Sequence, residues 1–469
     1  MVFSSLQFIF IFLPAFLLGY YLIPKKWQNL FLFLGSVIFY SVGAAKEPGY
    51  ILLILASIFV NYLISLFIDK NKYHKKLFLT IGIIYNFFWL FLFKYSDFVL
   101  GNLNALLSSF IPTFDIKFPG FVLPIGISFY TFQAVSYIID VYRGKSRAAS
   151  SFVDFGAYLC MFPQLIAGPI VTFRDVEEKL RHRKFSLNEF SDGFKIFILG
   201  LGFKVLIANP CGNLWSHLSM IGYESVSTTL AWLGILAYSL QIYFDFYGYS
   251  IMAIGLGKML GFSFPENFKR PYVSVTMTEF WRRWHITLGS WFREYLYFPL
   301  GGSRCSTIKT VRNLLVVWFC TGLWHGASWN FIIWGLTFFV LLTIEKLGVG
   351  RFLNDHKLIG HLYVIFLIPL TWAVFAIDDL PSLGIFFGRL FPFFGPPAEF
   401  VFEGDYIQPL KDYWVILVSG LVFSTGIAEG LFKRFKNNVV TALVLSAIFL
   451  GAVYCMHIGL DDTFLYFRF

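Results

Sequence analysis

The chain has 469 residues, of which 57% are hydrophobic, 21% aromatic and only 14% charged, and it carries a net charge of +10. That mix lies far from a soluble globular chain and places the protein among integral membrane proteins. No soluble domain or basic linker is there to carry nucleic acid, so the positive excess reads as loop topology and attraction to anionic lipid in the bilayer.

In chain order, the clearest apolar runs are 8–23, 30–42, 49–68, 77–93, 194–207, 230–244, 331–344, 362–375, 414–432 and 439–456, with less apolar stretches between them. A helix crossing the bilayer core needs roughly 20 mostly apolar residues. These runs are too long for barrel strands. The expected fold is an all-α polytopic membrane protein with about 10 to 13 transmembrane and re-entrant helices, because lipid-exposed backbone must satisfy its own hydrogen bonds. One domain is expected over 1–469, with N-terminal helices in 1–120, a catalytic core in 121–345 and C-terminal helices in 346–469.

The first run lacks a positive region before it and is followed by Lys25 and Lys26, so it reads as a retained span and not a cleaved signal peptide. Lys70, Lys72, Lys75 and Lys76 follow the third span; odd-numbered exits then face the cytoplasm and the N-terminus lies outside. Arg143, Lys145 and Arg147 form one further basic loop, and "RDVEEKLRHRK" at 174–184 forms another, yet 152–171 between them is apolar. The segment "CMFPQLIAGPIV", broken by Pro163, Gly168 and Pro169, is therefore expected to dip in and return.

Several familiar chemistries are not supported. Cys160, Cys211, Cys305, Cys320 and Cys455 form no CxxC pair, and the eight histidines form no HExxH motif, which argues against a disulfide framework and a metal site. Gly144, Lys145 and Ser146 end like a phosphate-binding loop, but Ile139 stands where its first glycine belongs, and no GxSxG elbow occurs. Asp245, within "YFDFYGY", reads as a structural acid paired with a nearby arginine or tyrosine hydroxyl.

The specialised region lies between 269 and 334, where Lys269, Arg270, Arg282, Arg283, Arg293, Arg304, Lys309 and Arg312 are interleaved with aromatics. Thr276 and Glu279 make a capping box, and Pro299, Gly301 and Gly302 supply a stop, so a helix is expected from about 277 to 298. On it Trp281, Trp284, Leu288, Trp291 and Tyr295 form an aromatic stripe, and Arg282, His285, Gly289 and Arg293 form a polar one. Charges at membrane depth cost roughly 2.5 to 3.5 kcal/mol each on insertion scales, so this helix is expected to wall a watered chamber. Forty residues on, His325 sits in "TGLWHGASWNFIIWG", read as the start of an apolar span, with small residues at 326–328 that permit close approach. A neutral imidazole there suits proton transfer near pH 7.

The segments "FPENFKRPYVSVTMTEFWRRWHITLGSWFREYLYFPLGG", "GLWHGASWNFIIWG", "QIYFDFYGYSIMAIGLGKMLG" and "FPQLIAGPI", with the ending "FLYFRF", resemble the membrane-bound O-acyltransferase family over nearly the whole chain. Within it the likeness is to the bacterial branch that O-acetylates alginate, with teichoic acid D-alanyl transfer as a relative. The resemblance implies that His325 is the catalytic histidine and His285 the second characteristic histidine, in helices around a central tunnel. It implies an acyl thioester donor, acetyl-coenzyme A or a similar one, and no bound cofactor. Lys269, Arg282 and Arg283 are candidates to hold the donor phosphates, with His285 orienting the centre or stabilising the oxyanion. Location in the bacterial cytoplasmic membrane is expected, with extracytoplasmic acetyltransferase partners and a polysaccharide export complex completing the transfer. D-alanyl-type transfer to teichoic acid, a lipid-linked sugar transporter and a secretion scaffold are the alternatives.

Overall fold

The structure, a computed structural model, describes residues 2–71, 73–111, 115–393, 401–459 and Leu465. Lys72 and all of the "FLYFRF" ending except Leu465 lie outside the described residues. Among the described residues the regular structure is helical throughout, with no strand. Every one of the ten apolar runs falls within a helix or a bent helix pair.

Fewer of these helices are built to cross a bilayer than the runs imply. Among the described residues six are long and apolar enough: Gly49–Lys70, Lys75–Lys94, Leu187–Ile221, Trp329–Asp355, Lys357–Ala376 and Val439–His457. A seventh is counted if Ile407–Ser424 and Ile427–Phe435, bent by 69°, make one span. The other apolar helices miss that length or composition for simple reasons. Phe8–Leu22 is short, Gln28–Gly43 has 16 residues, and the long helices Thr228–Met259 and Thr307–His325 bury polar groups such as Gln241, Asp245, Asn313 and His325.

By internal contacts the chain forms two units, Met1–Gly193 with Leu256–Pro265, and Phe194–Gly255 with Glu266–Phe469. In the first, Asn61 and Asn86 donate to each other's side-chain carbonyls at 3.0 and 2.7 Å, a buried polar rung joining Gly49–Lys70 to Lys75–Lys94. The expected re-entrant piece is two short helices, Phe152–Leu159 and Phe162–Leu165, followed by an irregular arm that is buried throughout. Its two arms lie side by side, because the Tyr158 hydroxyl donates to the Val171 carbonyl at 3.1 Å and Gln164 Nε2 donates to the Tyr158 carbonyl at 2.7 Å. Gly126, in a left-handed conformation at φ 73°, starts Ile127–Tyr142 against this piece, and a Cβ there would meet the Leu165 carbonyl at 2.5 Å. The loop segment 174–184 is largely the amphipathic helix Phe173–Arg181, whose capping box pairs Thr172 with Asp175.

The second unit carries the region that concerns function. Thr307–His325 and Trp329–Ile344 form a tight hairpin. A Cβ on Gly322 would collide with the Phe331 carbonyl, and one on Gly335 would collide with the Trp318 carbonyl and lie 3.2 Å from the Gly322 Cα. Small residues at such crossings let backbones approach and gain packing where lipid offers no hydrophobic drive. This contact sets the height and rotation of His325 at the hairpin's end. Replacing Gly335→Leu is expected to destabilise the protein by at least ~1 to 3 kcal/mol, the usual range for overpacking. A thermal melt in detergent reads this as a lowered midpoint; an unchanged midpoint would contradict the backbone contact.

Candidate active site

The stretch expected as one helix from 277 to 298 is broken. Met277–Arg283 ends at Trp284, His285 takes a left-handed conformation with φ 43° and ψ 53°, and the chain resumes as Ile286–Phe292 and then the wider turn Arg293–Tyr297. The cause is tertiary, since Lys269 N donates to the Arg283 carbonyl at 2.8 Å and Ile286 N to the Asn267 carbonyl at 2.9 Å. Strand-like pairing with 267–269 thus displaces the intrahelical bonds. A residue other than glycine in this region carries strain of roughly 1 to 3 kcal/mol, and such strain concentrates at functional sites. The aromatic stripe still packs inward, with Trp284, Leu288, Trp291 and Tyr295 all buried, but the polar stripe is divided by the break.

The first of these helices is held firmly at its start. Thr276 Oγ1 accepts from Glu279 N at 3.0 Å, half of the expected capping box, while the Glu279 carboxylate reaches Val275 N at 2.9 Å instead of Thr276 N. The remaining N-terminal donors go to Glu345, which is buried and accepts from Met277 N at 2.5 Å, Thr278 N at 2.8 Å and Thr278 Oγ1 at 2.6 Å. An anion at a helix N-terminus is favoured by the exposed N–H groups and the helix dipole.

His325 does not begin an apolar span; it is the last residue of Thr307–His325, 6% exposed. The rings of Trp324, Trp334 and Phe375 meet it edge-on at 5.0, 5.0 and 5.2 Å. The small residue at 326 makes room for the Phe331 ring. His285 is 1% exposed, lies 4.6 Å from Phe246 edge-on and 5.8 Å from Trp324, and is close enough to His325 for a charge there to act on it. The two histidines picked from the sequence therefore share one aromatic environment.

Two cavities flank this centre. A cavity of about 20 Å³ is lined by Asp245, Phe246, Trp284, His325, Trp334 and Leu465, among others. A much larger one, about 990 Å³, is walled by both halves of the broken helix and by Trp318, Thr321, Glu345 and Lys357. Aromatic contacts lie between them: Trp281 and Trp318 line the large cavity and meet Trp334 at 5.6 and 6.4 Å, and Trp334 lines the small one beside His325.

The cations divide. Arg282, Arg293, Lys346 and Lys357 line the large cavity. Lys269 and Arg283 do not line it; Arg283 pairs with Glu279 at 2.6 Å and donates to the Lys269 carbonyl at 3.4 Å, bracing the wall from behind. Lys346 and Lys357 come from other helices, and no spacing in the sequence points from them to Arg282. Among the described residues Asp245, expected to pair with an arginine or a tyrosine hydroxyl, meets a lysine and a backbone N–H. Lys204 lies 2.7 Å from Oδ1, both side chains are at most 3% exposed, and Leu465 N donates to Oδ2 at 2.9 Å. Lys204 sits in a π-helical turn, Phe203–Ala208, a local widening common at functional sites.

Comparison with known proteins bears on what such a site does. Residues 39–356 match the family model described as MBOAT, membrane-bound O-acyltransferase family. The chain is 42% identical over 398 residues to a probable alginate O-acetylase of Azotobacter vinelandii, covering 84% of this chain and 78% of that protein. It is 35% identical over 423 residues to a peptidoglycan O-acetyltransferase of Helicobacter pylori, covering 81% and 78%. It is 28% identical over 344 residues to a teichoic acid D-alanyltransferase of Bacillus subtilis, covering 71% and 83%.

The buried ion pair beside His325 can be checked without any assay of chemistry. Removing one member takes from the other its partner at 2.7 Å; breaking a buried pair typically costs ~3 to 5 kcal/mol, whereas replacing both by apolar residues is often near neutral. Lys204→Met and Asp245→Leu are each expected to lower the detergent melting midpoint strongly, and the double variant to recover much of the loss. Additive losses in the double variant would show that the two do not act as a pair.

Proposed function

This chain belongs to the membrane-bound O-acyltransferase family, and from that premise we propose that it moves an acetyl group from a cytoplasmic thioester, acetyl-coenzyme A or a close analogue, towards the O-acetylation of an exported polysaccharide such as alginate. The observation that carries the reading is the pair of cavities. A volume of about 990 Å³ is at the upper end of the roughly 300 to 1,000 Å³ of cofactor sites, and its cations suit a phosphate-bearing donor. Arg282 and Arg293 offer bidentate forks to phosphate, and Lys346 and Lys357 act as point charges. The thioester arm would pass the Trp281 and Trp334 contact to reach His325, so that donor and acceptor meet along a tunnel.

In the reaction His325 takes the proton of the acceptor hydroxyl as general base. The hydroxyl oxygen bonds to the thioester carbonyl carbon, the C–S bond breaks, and the proton ends on the departing thiolate. His285 is the second imidazole of the centre. A dry, aromatic surrounding strengthens every electrostatic interaction made there. Location in the bacterial cytoplasmic membrane, and extracytoplasmic acetyltransferases that pass the group to polymer, are part of the proposal; the apolar helices and the polysaccharide-directed activities named for bacterial relatives support it.

His325→Ala is expected to lower acetyl transfer by ~10² to 10⁴, the usual contribution of a general base, with donor binding retained. Arg282→Gln should instead raise the apparent KM for donor, since lost ground-state binding shows there first. Arg283→Gln, outside the cavity, should act more weakly unless the wall collapses. The grip on phosphate should loosen as salt rises, because the Debye length is only roughly 8 Å at physiological ionic strength. Mass spectrometry of O-acetyl esters on cell-surface polysaccharide, at matched expression, reads the first effect, and titration of acetyl-coenzyme A onto purified protein reads the others. Unchanged ester content in the His325→Ala strain would end this reading.

A further inference from the structure

Asn267 is 1% exposed, and its side-chain oxygen collects several contacts from the segment that carries His285. It accepts from Thr287 N at 3.3 Å and from Thr287 Oγ1 at 2.8 Å, and it lies 3.1 Å from His285 Nδ1. The other face of the amide, Nδ2, donates to Ser250 Oγ at 3.1 Å. A backbone N–H can only donate, so the atom that faces Thr287 N must be the oxygen, and the orientation of the amide is fixed by that contact. An amide oxygen can only accept. His285 Nδ1 must therefore carry the hydrogen, and the neutral imidazole keeps its lone pair on Nε2.

We propose that Asn267 is a positioning residue that locks His285 in its Nδ1–H tautomer, so that His285 enters the reaction as a proton acceptor at Nε2 and not as a donor to the oxyanion. The assignment rests on the acyl-transfer reading above and narrows it. A neutral imidazole held this way has no Nε2 hydrogen to offer a developing oxyanion. It can receive the hydroxyl proton from His325 and return it to the thiolate when the C–S bond has broken; no other reactant is needed. Exchange of the tautomer is opposed on two sides. It would leave the buried Asn267 oxygen facing a lone pair, and the left-handed backbone at 285, with Phe246 and Trp324 against the ring, restrains rotation. The titratable group that acts on His285 is His325 of Thr307–His325. On Thr228–Met259 the acid that lines the small cavity with Phe246 and His325 is Asp245, which pairs with Lys204.

The test uses the full-length protein in detergent or lipid, with acetyl-coenzyme A as donor and release of free thiol as the rate. Asn267→Leu should lower kcat by about tenfold or more, with donor KM little changed. Asn267→Asp keeps an acceptor at the same place and should restore much of the rate. Its carboxylate favours the imidazolium, and a proton acceptor must be neutral, so the acid limb of the kcat profile should move to higher pH by about one unit or more. If Asn267→Asp instead extends activity on the alkaline side, His285 works as a cationic donor and the proposal is overturned. It is equally overturned if Asn267→Leu, with an unaltered melting midpoint, turns over like wild type. ¹⁵N spectra of histidine-labelled protein read the tautomer without any turnover. A protonated Nε2 on His285 sinks the lock, whereas a protonated Nδ1 in a protein that releases no thiol upholds the lock and rejects the acyl-transfer reading.

Discussion

Two backbone hydrogen bonds, from Lys269 N to the Arg283 carbonyl and from Ile286 N to the Asn267 carbonyl, stop a helix that the side-chain pattern would otherwise continue. Everything particular to the site depends on that interruption. A continuous helix would place His285 on the face of Arg282 and Gly289, looking into the large cavity. The break turns its ring instead towards Phe246 and Trp324, in the aromatic centre that also holds His325. One irregular residue thus separates the cation-lined large cavity from the dry aromatic centre that holds both histidines.

That separation matters because the two surfaces need opposite surroundings. Phosphate recognition works with exposed cations in a roomy cavity, and Arg282, Arg293, Lys346 and Lys357 are all solvent-exposed. Proton transfer between weak bases gains from exclusion of water, and the centre around His325 is packed with Trp324, Trp334 and Phe375. The Trp281 and Trp334 contact lets the two environments lie next to each other without merging. A buried charge in the dry half must then be matched, which is what Lys204 does for Asp245.

How much of this was legible in the sequence follows from how local each feature is. The apolar runs mark their helices because lipid and core demand the same residue types over many consecutive positions, and the Pro163, Gly168 and Pro169 breaks mark the folded-back piece because they act on their own backbone. His325 and His285 stood out as imidazoles among tryptophans, and the family resemblance supplied the roles expected of them. The break at Trp284 and His285 carries no glycine or proline, so propensity argued for a helix and tertiary pairing overrode it. Asn267 was visible in "FPENFKRPY" but not distinguishable from a turn residue. Lys346, Lys357 and Lys204 reach their partners over tens of residues, and no periodicity encodes such meetings. The division of the apolar helices into spans and re-entrant pieces is not legible for a related reason, since an apolar run reports burial in protein as readily as in lipid.

The segment from Thr276 to Thr287 is anchored at both ends, and this bears on why a strained residue can serve there. At its start Glu345 and Thr276 together occupy the first three N–H groups of Met277–Arg283. At its end Asn267 holds His285 and Thr287 by side chain and Ile286 by backbone. With both ends tied, relaxing His285 to an ordinary conformation would require breaking contacts whose partners are buried and could not turn to water. The strain is therefore retained, and with it the fixed geometry on which proximity effects depend. Glu345 ties the start of Met277–Arg283, which carries Arg282, to the turn that carries Lys346, so the cation-lined cavity wall and the frame that holds His285 are mechanically joined.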